Sequence, residues 1–266
     1  MSLQEALVDL PPAEVPHQQQ LNKPAPTIRV QLWDLPLRIF HWSLLAAVGT
    51  AIVTGKLGGS WMALHAKAGI TIVGLLAFRI VWGLIGPSPA RFSHFAPTPG
   101  KVWAYLQGQW QGIGHNPLGA LSVFALLGLL GFQAGSGLFS NDDIAFTGPL
   151  ASLVADELSH DLTNWHRQAV NILFVLIGLH VAAIVFYARV KKDKLVQPMV
   201  TGWKDIPAHL PPPRRARRIA LLAALVFGVG ASYGASGLWV KKAAPQPAPV
   251  NTATSSNPAK ATAPAW

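Results

Sequence analysis

Five long apolar blocks alternate with polar segments along the chain, and each block is long enough to form a membrane-spanning helix. The blocks lie at about residues 38–57, 62–86, 117–139, 167–188 and 217–239. This length is close to the ~20 residues that cross a hydrocarbon core. None of the blocks contains Asp or Glu, whereas a soluble amphipathic helix carries such residues on its wet face. The pattern predicts an all-α protein that spans a lipid bilayer five times.

Charged residues are divided unequally between the polar segments, and this division predicts the orientation in the membrane. The loop of residues 140–163 has five acidic residues and no Lys or Arg, whereas residues 189–218 contain nine basic residues. By the positive-inside rule the basic segment faces the cytoplasm. The N-terminus is therefore expected in the cytoplasm, and the fifth span places the C-terminus on the opposite side.

Two polar segments flank the predicted spans. Residues 1–30 form a Pro-rich leader, and residues 241–266 form a tail rich in Pro, Ala, Ser and Thr. We expect both to be disordered because neither can bury a core. Between them we predict a four-span domain over residues 31–206 and a fifth transmembrane helix over residues 207–240.

Composition narrows the chemistry further. The chain has no cysteine, which excludes disulfides, iron–sulfur clusters and covalently attached c-type haem. The formal net charge of +10 could indicate nucleic acid. The basic residues lie at the cytoplasmic ends of the spans, however, so no nucleic-acid partner is expected.

Four histidines lie in or next to the apolar blocks, where ionisable residues indicate a functional site. His166 and His180 are 14 residues apart, which on a helix corresponds to ~21 Å and to nearly four full turns. One helix would therefore present both imidazoles on one face at two depths. His41 and His65 lie near opposite ends of a helical hairpin. Depth pairs His65 with His166 on the outer side and His41 with His180 on the inner side, and imidazole is a common axial ligand of haem iron.

Three arginines are candidates to bind the anionic propionates of two such haems. Arg38 precedes His41 by three residues, and Arg79 lies 14 residues after His65 on the same face, at the cytoplasmic level. Arg167 directly follows His166 and is a candidate for the outer haem. Arg38 could instead be an ordinary cytoplasmic flank, and Arg167 could reach the interface by snorkelling.

The remaining histidines are expected to be ordinary surface residues. His94, His115 and His209 fall in predicted cytoplasmic loops. A histidine-lined metal or proton transporter is the main rival interpretation of the intramembrane histidines. Di-metal sites in helical bundles use carboxylates as well, and no span contains one, which disfavours this alternative.

Three segments together resemble bacterial cytochromes of the b561 group, which are related to the cytochrome b subunit of nickel–iron hydrogenases. The segments are WDLPLRIFHW in the first span, LHAKAGITIVGLLAFRIVWGLIGPSPARF through the second, and the NWHR and GLH pair of the fourth. LVQPMVTGWKD after the fourth span is also similar to the family's cytoplasmic sequence. The resemblance covers about residues 30–206.

The resemblance implies a four-helix core that binds two b haems through His41, His65, His166 and His180, in a bacterial inner membrane. It implies electron transfer between a periplasmic redox partner and the quinone pool. The alternative is a membrane-anchor subunit, without turnover of its own, that serves a hydrogenase or a cytochrome c. The long leader, the fifth span and the tail depart from the simplest family pattern, so the branch and its electron partner stay open.

Overall fold

The computed structural model describes residues 26–144 and 146–240, so the predictions for residues 1–25 and 241–266 lie outside the described part. Its described elements are strands β1 (Thr27–Gln31) and β2 (Trp203–Pro207) and helices α1 (Leu35–Leu57), α2 (Met62–Ile85), α3 (Phe92–Phe95), α4 (Pro99–Leu106), α5 (Pro117–Leu138), α6 (Asp156–Phe186), α7 (Val196–Thr201) and α8 (Arg218–Ala235). Helices α1, α2, α5, α6 and α8 are long and apolar enough to cross a membrane. The five predicted spans are therefore confirmed as helices.

Local chemistry explains where the spanning helices begin and end. Oδ1 of Asp34 accepts a hydrogen bond from the backbone N–H of Leu37 at the start of α1. Asn116 caps α5 in the same way, through the N–H of Gly119. Such caps satisfy N–H groups that have no partner inside the helix. Gly58 and Gly59 adopt positive φ angles of 64° and 54°, which end α1 and turn the chain tightly into α2.

The fifth spanning helix packs closely against α2. A Cβ atom on Gly74 of α2 would lie 2.8 Å from the carbonyl oxygen of Gly228 in α8. Two glycines thus allow the two backbones to approach, as small residues do between membrane helices. The hydroxyl of Ser232 donates to the carbonyl oxygen of Ile70 across the same contact. The small residues of the fifth span therefore form a packing face within this chain.

Helix α6 packs mainly against α5. In the described part of the chain, α6 makes its extensive contacts with α5, whereas α2 contacts α1, α5 and α8. The helix is also longer than predicted at its outer end, because it already begins at Asp156. Asp156 and Glu157 occupy its first turn, where negative charge favours the helix dipole. Leu173 of α6 also belongs to a buried apolar cluster with Val48 of α1 and Ile72 of α2.

A small antiparallel sheet joins the two ends of the four-span region on the predicted cytoplasmic side. Strand β1 pairs with β2 from Thr27 opposite Pro207 to Gln31 opposite Trp203. The N–H groups of Leu32 and Trp33 both donate to the carbonyl oxygen of Gly202. The last residues of the predicted leader, 27–30, therefore form a strand. The sheet fixes the chain immediately before α1.

Candidate cofactor-binding site

The four candidate histidines lie on three of the spanning helices. His41 is in α1, His65 is in the first turn of α2, and His166 and His180 are in α6. Because α6 is continuous between them, the predicted ~21 Å separation along one helix holds. The histidines therefore occupy two levels of the fold.

The two rings of the outer pair, His65 and His166, lie close together. The ring centres of His65 and His166 are 6.0 Å apart, and the ring planes are nearly perpendicular at 86°. Two imidazoles that each bind one metal ion through a nitrogen, at about 2 Å per bond, have ring centres about 6 Å apart. The separation of this pair fits two axial ligands of one iron.

Hydrogen bonds leave the same nitrogen of both rings available. Nδ1 of His65 lies 2.8 Å from the carbonyl oxygen of Ala51, and Nδ1 of His166 lies 2.8 Å from that of Gln133. A ring that donates from Nδ1 presents its Nε2 lone pair to a metal, and metal-binding histidines are commonly oriented in this way. Gln133 further donates from its side chain to the carbonyl oxygen of His166. In both rings of the outer pair, a proton on Nδ1 would therefore leave Nε2 free to bind iron.

Glycines make room for both outer rings. A Cβ atom on Gly137 would lie 2.9 Å from Cε1 of His166, and one on Gly55 would lie 3.0 Å from Cε1 and Nδ1 of His65. Contacts this short require the ring to move. Neither glycine was singled out from the sequence. The only available signal was a glycine on a helix neighbouring each histidine.

The inner pair has a looser arrangement. Nδ1 of His41 is buried without a hydrogen-bond partner, and Nδ1 of His180 lies 3.4 Å from the hydroxyl of Ser122. The two rings make no ring–ring contact in the part of the chain described. These histidines share the inner level, but the structure brings them less close than the outer pair.

Arg79 is the most deeply buried of the three candidate arginines. It is only 2% exposed, and its Nη1 atom is buried without a partner. Its guanidinium carbon lies 4.4 Å from the ring centre of Phe92 and 6.0 Å from that of Phe95. Aromatic faces stabilise a cation partly, but they accept no hydrogen bond from Nη1. This arginine fits a role in binding an anion.

Arg38 and Arg167 have different surroundings. Arg38 donates from Nε to the carbonyl oxygen of Met199, 3.3 Å away, and from a terminal nitrogen to that of Val200. Both carbonyls belong to the last turn of α7, so Arg38 ties this helix to α1. Arg167 is exposed beside His166. Arg38 thus has a clear structural role, and its role at a haem propionate stays a prediction.

His115 was predicted to be an ordinary surface residue, and this prediction is wrong. Its Nδ1 is buried without a partner, and its ring lies 4.7 Å from the rings of both Trp33 and Phe95, centre to centre. Burial lowers the pKa of His115 to about 4, and the charges of Arg79, His180 and His41 act in the same direction. The imidazole of His115 is therefore neutral at pH 7.

The comparison with protein families covers the first four spanning helices, α1, α2, α5 and α6. The family described as prokaryotic cytochrome b561 matches residues 32–202, which is more than half of the 266 residues. The chain belongs to this family. Its members are b-type cytochromes, so membership implies haem b as the cofactor and membrane electron transfer as the role.

Curated relatives of this cytochrome b561 family member are named as hydrogenase subunits. The probable Ni/Fe-hydrogenase B-type cytochrome subunit of Azotobacter vinelandii is 26% identical over 215 residues, which cover 66% of this chain and 88% of the relative. The probable Ni/Fe-hydrogenase 1 B-type cytochrome subunit of Escherichia coli (strain K12) is 23% identical over 213 residues, covering 65% and 90%. No solved structure matches the chain significantly.

The residues of the outer pair fit a haem in three respects. The outer imidazoles have the right separation, their Nδ1 atoms are held by backbone carbonyls, and a glycine lies against each ring. The apolar spans supply the membrane setting. A multi-pass membrane cytochrome that carries electrons therefore follows from family and structure together.

Proposed function

We propose that the chain carries electrons across a bacterial inner membrane between a periplasmic redox partner and the quinone pool, through two b haems. The 6.0 Å separation of the His65 and His166 ring centres is the observation that supports this most directly. When bound, haem supplies one-electron chemistry, and the protein supplies position and axial ligation. The family and the hydrogenase-type relatives support electron transfer in general.

The outer haem would be held by His65 and His166. Backbone carbonyls orient both rings through Nδ1, which leaves Nε2 of each as the iron ligand. A haem held by both histidines would suit electron transfer, because neither residue would leave a position for oxygen at the iron. Arg167, exposed at the same level, is the candidate partner for a propionate of this haem.

The inner haem would be held by His41 and His180. The buried, unpartnered Nη1 of Arg79 supports binding of a propionate at this level. Arg38 is a second candidate, although its Nε and one terminal nitrogen already donate to carbonyls of α7. A haem at this depth would exchange electrons with quinone near the cytoplasmic leaflet.

The orientation rests on the distribution of charge. The nine basic residues between positions 189 and 218 follow α6, whereas the acidic loop of residues 140–163 precedes its transmembrane part. The positive-inside rule then places the N-terminus in the cytoplasm and the C-terminus in the periplasm. His65 and His166 would face the periplasmic partner.

A second candidate function is that of a membrane-anchor subunit for a hydrogenase or a cytochrome c complex. The relatives from Azotobacter vinelandii and Escherichia coli carry hydrogenase names, which favours this alternative. Stoichiometric co-purification of a partner, combined with no quinol reaction by the isolated chain, would support it. Rapid haem reduction by a short-chain quinol would support the quinone-linked function.

Single histidine substitutions test the ligand assignment. His166→Ala and His41→Ala should each remove one haem per chain and leave the other reducible, as judged by haem quantitation and redox titration. His94→Ala is the matched control, because His94 is exposed on α3 and should leave both haems. Two reducible haems in His166→Ala would refute the outer assignment. Absence of haem from every haem-replete preparation would revive the transporter alternative.

A further inference from the structure

Buried polar atoms without a partner converge at the cytoplasmic end of the bundle. Four such side-chain atoms occur in the described residues, and three of them are Nδ1 of His41, Nη1 of Arg79 and Nδ1 of His115. Buried polar groups are nearly always hydrogen-bonded, so each unpaired one needs an explanation. Nη1 of Arg79 can only donate, so this group of atoms points to a ligand that accepts hydrogen bonds.

Arg79 and His115 both lie close to the aromatic ring of Phe95. Phe95 lies 6.0 Å from the guanidinium carbon of Arg79 and 4.7 Å from the ring of His115, centre to centre. Trp33 lies on His115 at the same distance. Phe95 is therefore a shared neighbour of the His115 imidazole and the buried Arg79 guanidinium.

The guanidinium charge has no complete counter-charge in the described part of the chain. Asp34 acts on Arg79 electrostatically, but the two side chains do not form an ion pair within 4 Å. Oδ1 of Asp34 instead accepts from the N–H of Leu37 and from Nε1 of Trp82. Burial raises the pKa of the Asp34 carboxyl, and its hydrogen bonds to Leu37 and Trp82 act in the opposite direction. A buried cation of this kind needs an anion with hydrogen-bond acceptors.

The inner histidines identify which anion suits this place. Phe95, which packs on His115, also lies 5.7 Å from the ring of Phe124 in α5, centre to centre, and the hydroxyl of Ser122 in the same helix lies 3.4 Å from Nδ1 of His180. The unpartnered nitrogens therefore lie at the level of the inner histidines. A haem carries carboxylates on its edge, whereas a quinone head group offers only neutral carbonyls. A carboxylate neutralises the guanidinium, and a neutral carbonyl does not.

We propose that His115 is a binding residue of the inner haem, whose carboxylate it shares with Arg79. Arg79 supplies the charge, and the neutral imidazole of His115 donates one hydrogen bond from Nδ1. This inference rests on the proposed two-haem function. It assigns a role to a loop residue that is not one of the four proposed axial ligands.

The experiment uses the full chain with the substitution His166→Ala, which should leave only the inner haem. In this background His115→Phe keeps an aromatic ring between Trp33 and Phe95 but removes the donor. His115→Asn restores an N–H donor near the Nδ1 position. His94→Phe is the control in the same loop region. Resonance Raman spectra of the propionate bending bands and the midpoint potential of the haem are the two readouts.

His115→Phe should shift the propionate bands and lower the midpoint potential, since the carboxylate loses a donor that offsets its charge. His115→Asn should recover most of both values, and His94→Phe should match the parent. If the parent holds one haem and His115→Phe changes neither readout, this inference fails while the two-haem proposal stands. A slower quinol reaction with unchanged haem spectra would also overturn it, in favour of a quinone site. If the parent holds no haem, the two-haem proposal itself fails.

Discussion

Gly137→Ala provides a sharp test of the outer site, because it changes a helix that supplies no ligand. The added Cβ would lie 2.9 Å from Cε1 and 3.2 Å from Nδ1 of His166. Non-bonded carbon atoms prefer separations of ~3.5–4.0 Å, so the ring must withdraw by about 0.6 Å or more. Metal–ligand distances vary by only about 0.2 Å around their ideal values. The displacement is therefore about three times what an iron–nitrogen bond tolerates.

We expect Gly137→Ala to lose the outer haem, or to lose the low-spin signal of a centre with two histidine ligands. Haem quantitation and electron paramagnetic resonance of the purified chain measure these outcomes. Gly131→Ala is the matched control on the same helix, because a Cβ at this exposed position meets nothing within 4 Å. Two low-spin haems in Gly137→Ala, at the level of the control, would refute the reasoning about the outer site.

Packing, capping and burial contacts give three further expected outcomes. Gly74→Ala should lower the free energy of unfolding by about 1–3 kcal/mol, because the added methyl group overpacks the contact with α8. Gly230→Ala is the control, because its Cβ meets nothing within 4 Å. Equal melting temperatures for the two variants would contradict the close contact. Asp34→Ala should lower the free energy of unfolding by about 1 kcal/mol, because the helix cap is lost. Asp34→Asn should keep most of the parent's stability, and an equal loss in both variants would contradict capping. Haem-free protein should lose stability as the pH falls from 6.5 towards 4, because the unfolded chain binds a proton that the buried, neutral His115 ring excludes. In melts across this range His115→Phe should flatten the slope, and an unchanged slope would contradict burial of the neutral ring.

The spans and the level of each histidine were predictable from the sequence. Apolar length determines a membrane helix, and the 14-residue spacing of His166 and His180 is a property of one helix. Their location on the continuous helix α6 confirms that part. The caps of α1 and α5 are local features as well, because Asp34 and Asn116 each precede a first turn that contains a proline.

Contacts between distant segments were not predictable in this way. The sheet pairs Thr27–Gln31 with Trp203–Pro207. Neither short strand has a sequence pattern from which its partner strand could be predicted. The burial of His115 depends on Trp33 and Phe95, which come from two other segments. The glycine contacts of the outer histidines likewise require the neighbouring helix to be in place.

A pyridine haemochrome assay with protein quantitation on the purified, haem-replete chain tests the central claim most directly. The four-histidine site predicts two b haems per chain. One haem per chain would mean that one histidine pair was wrongly assigned. The chain alone would then not provide a complete electron path across the membrane. No haem would contradict the account of the site altogether.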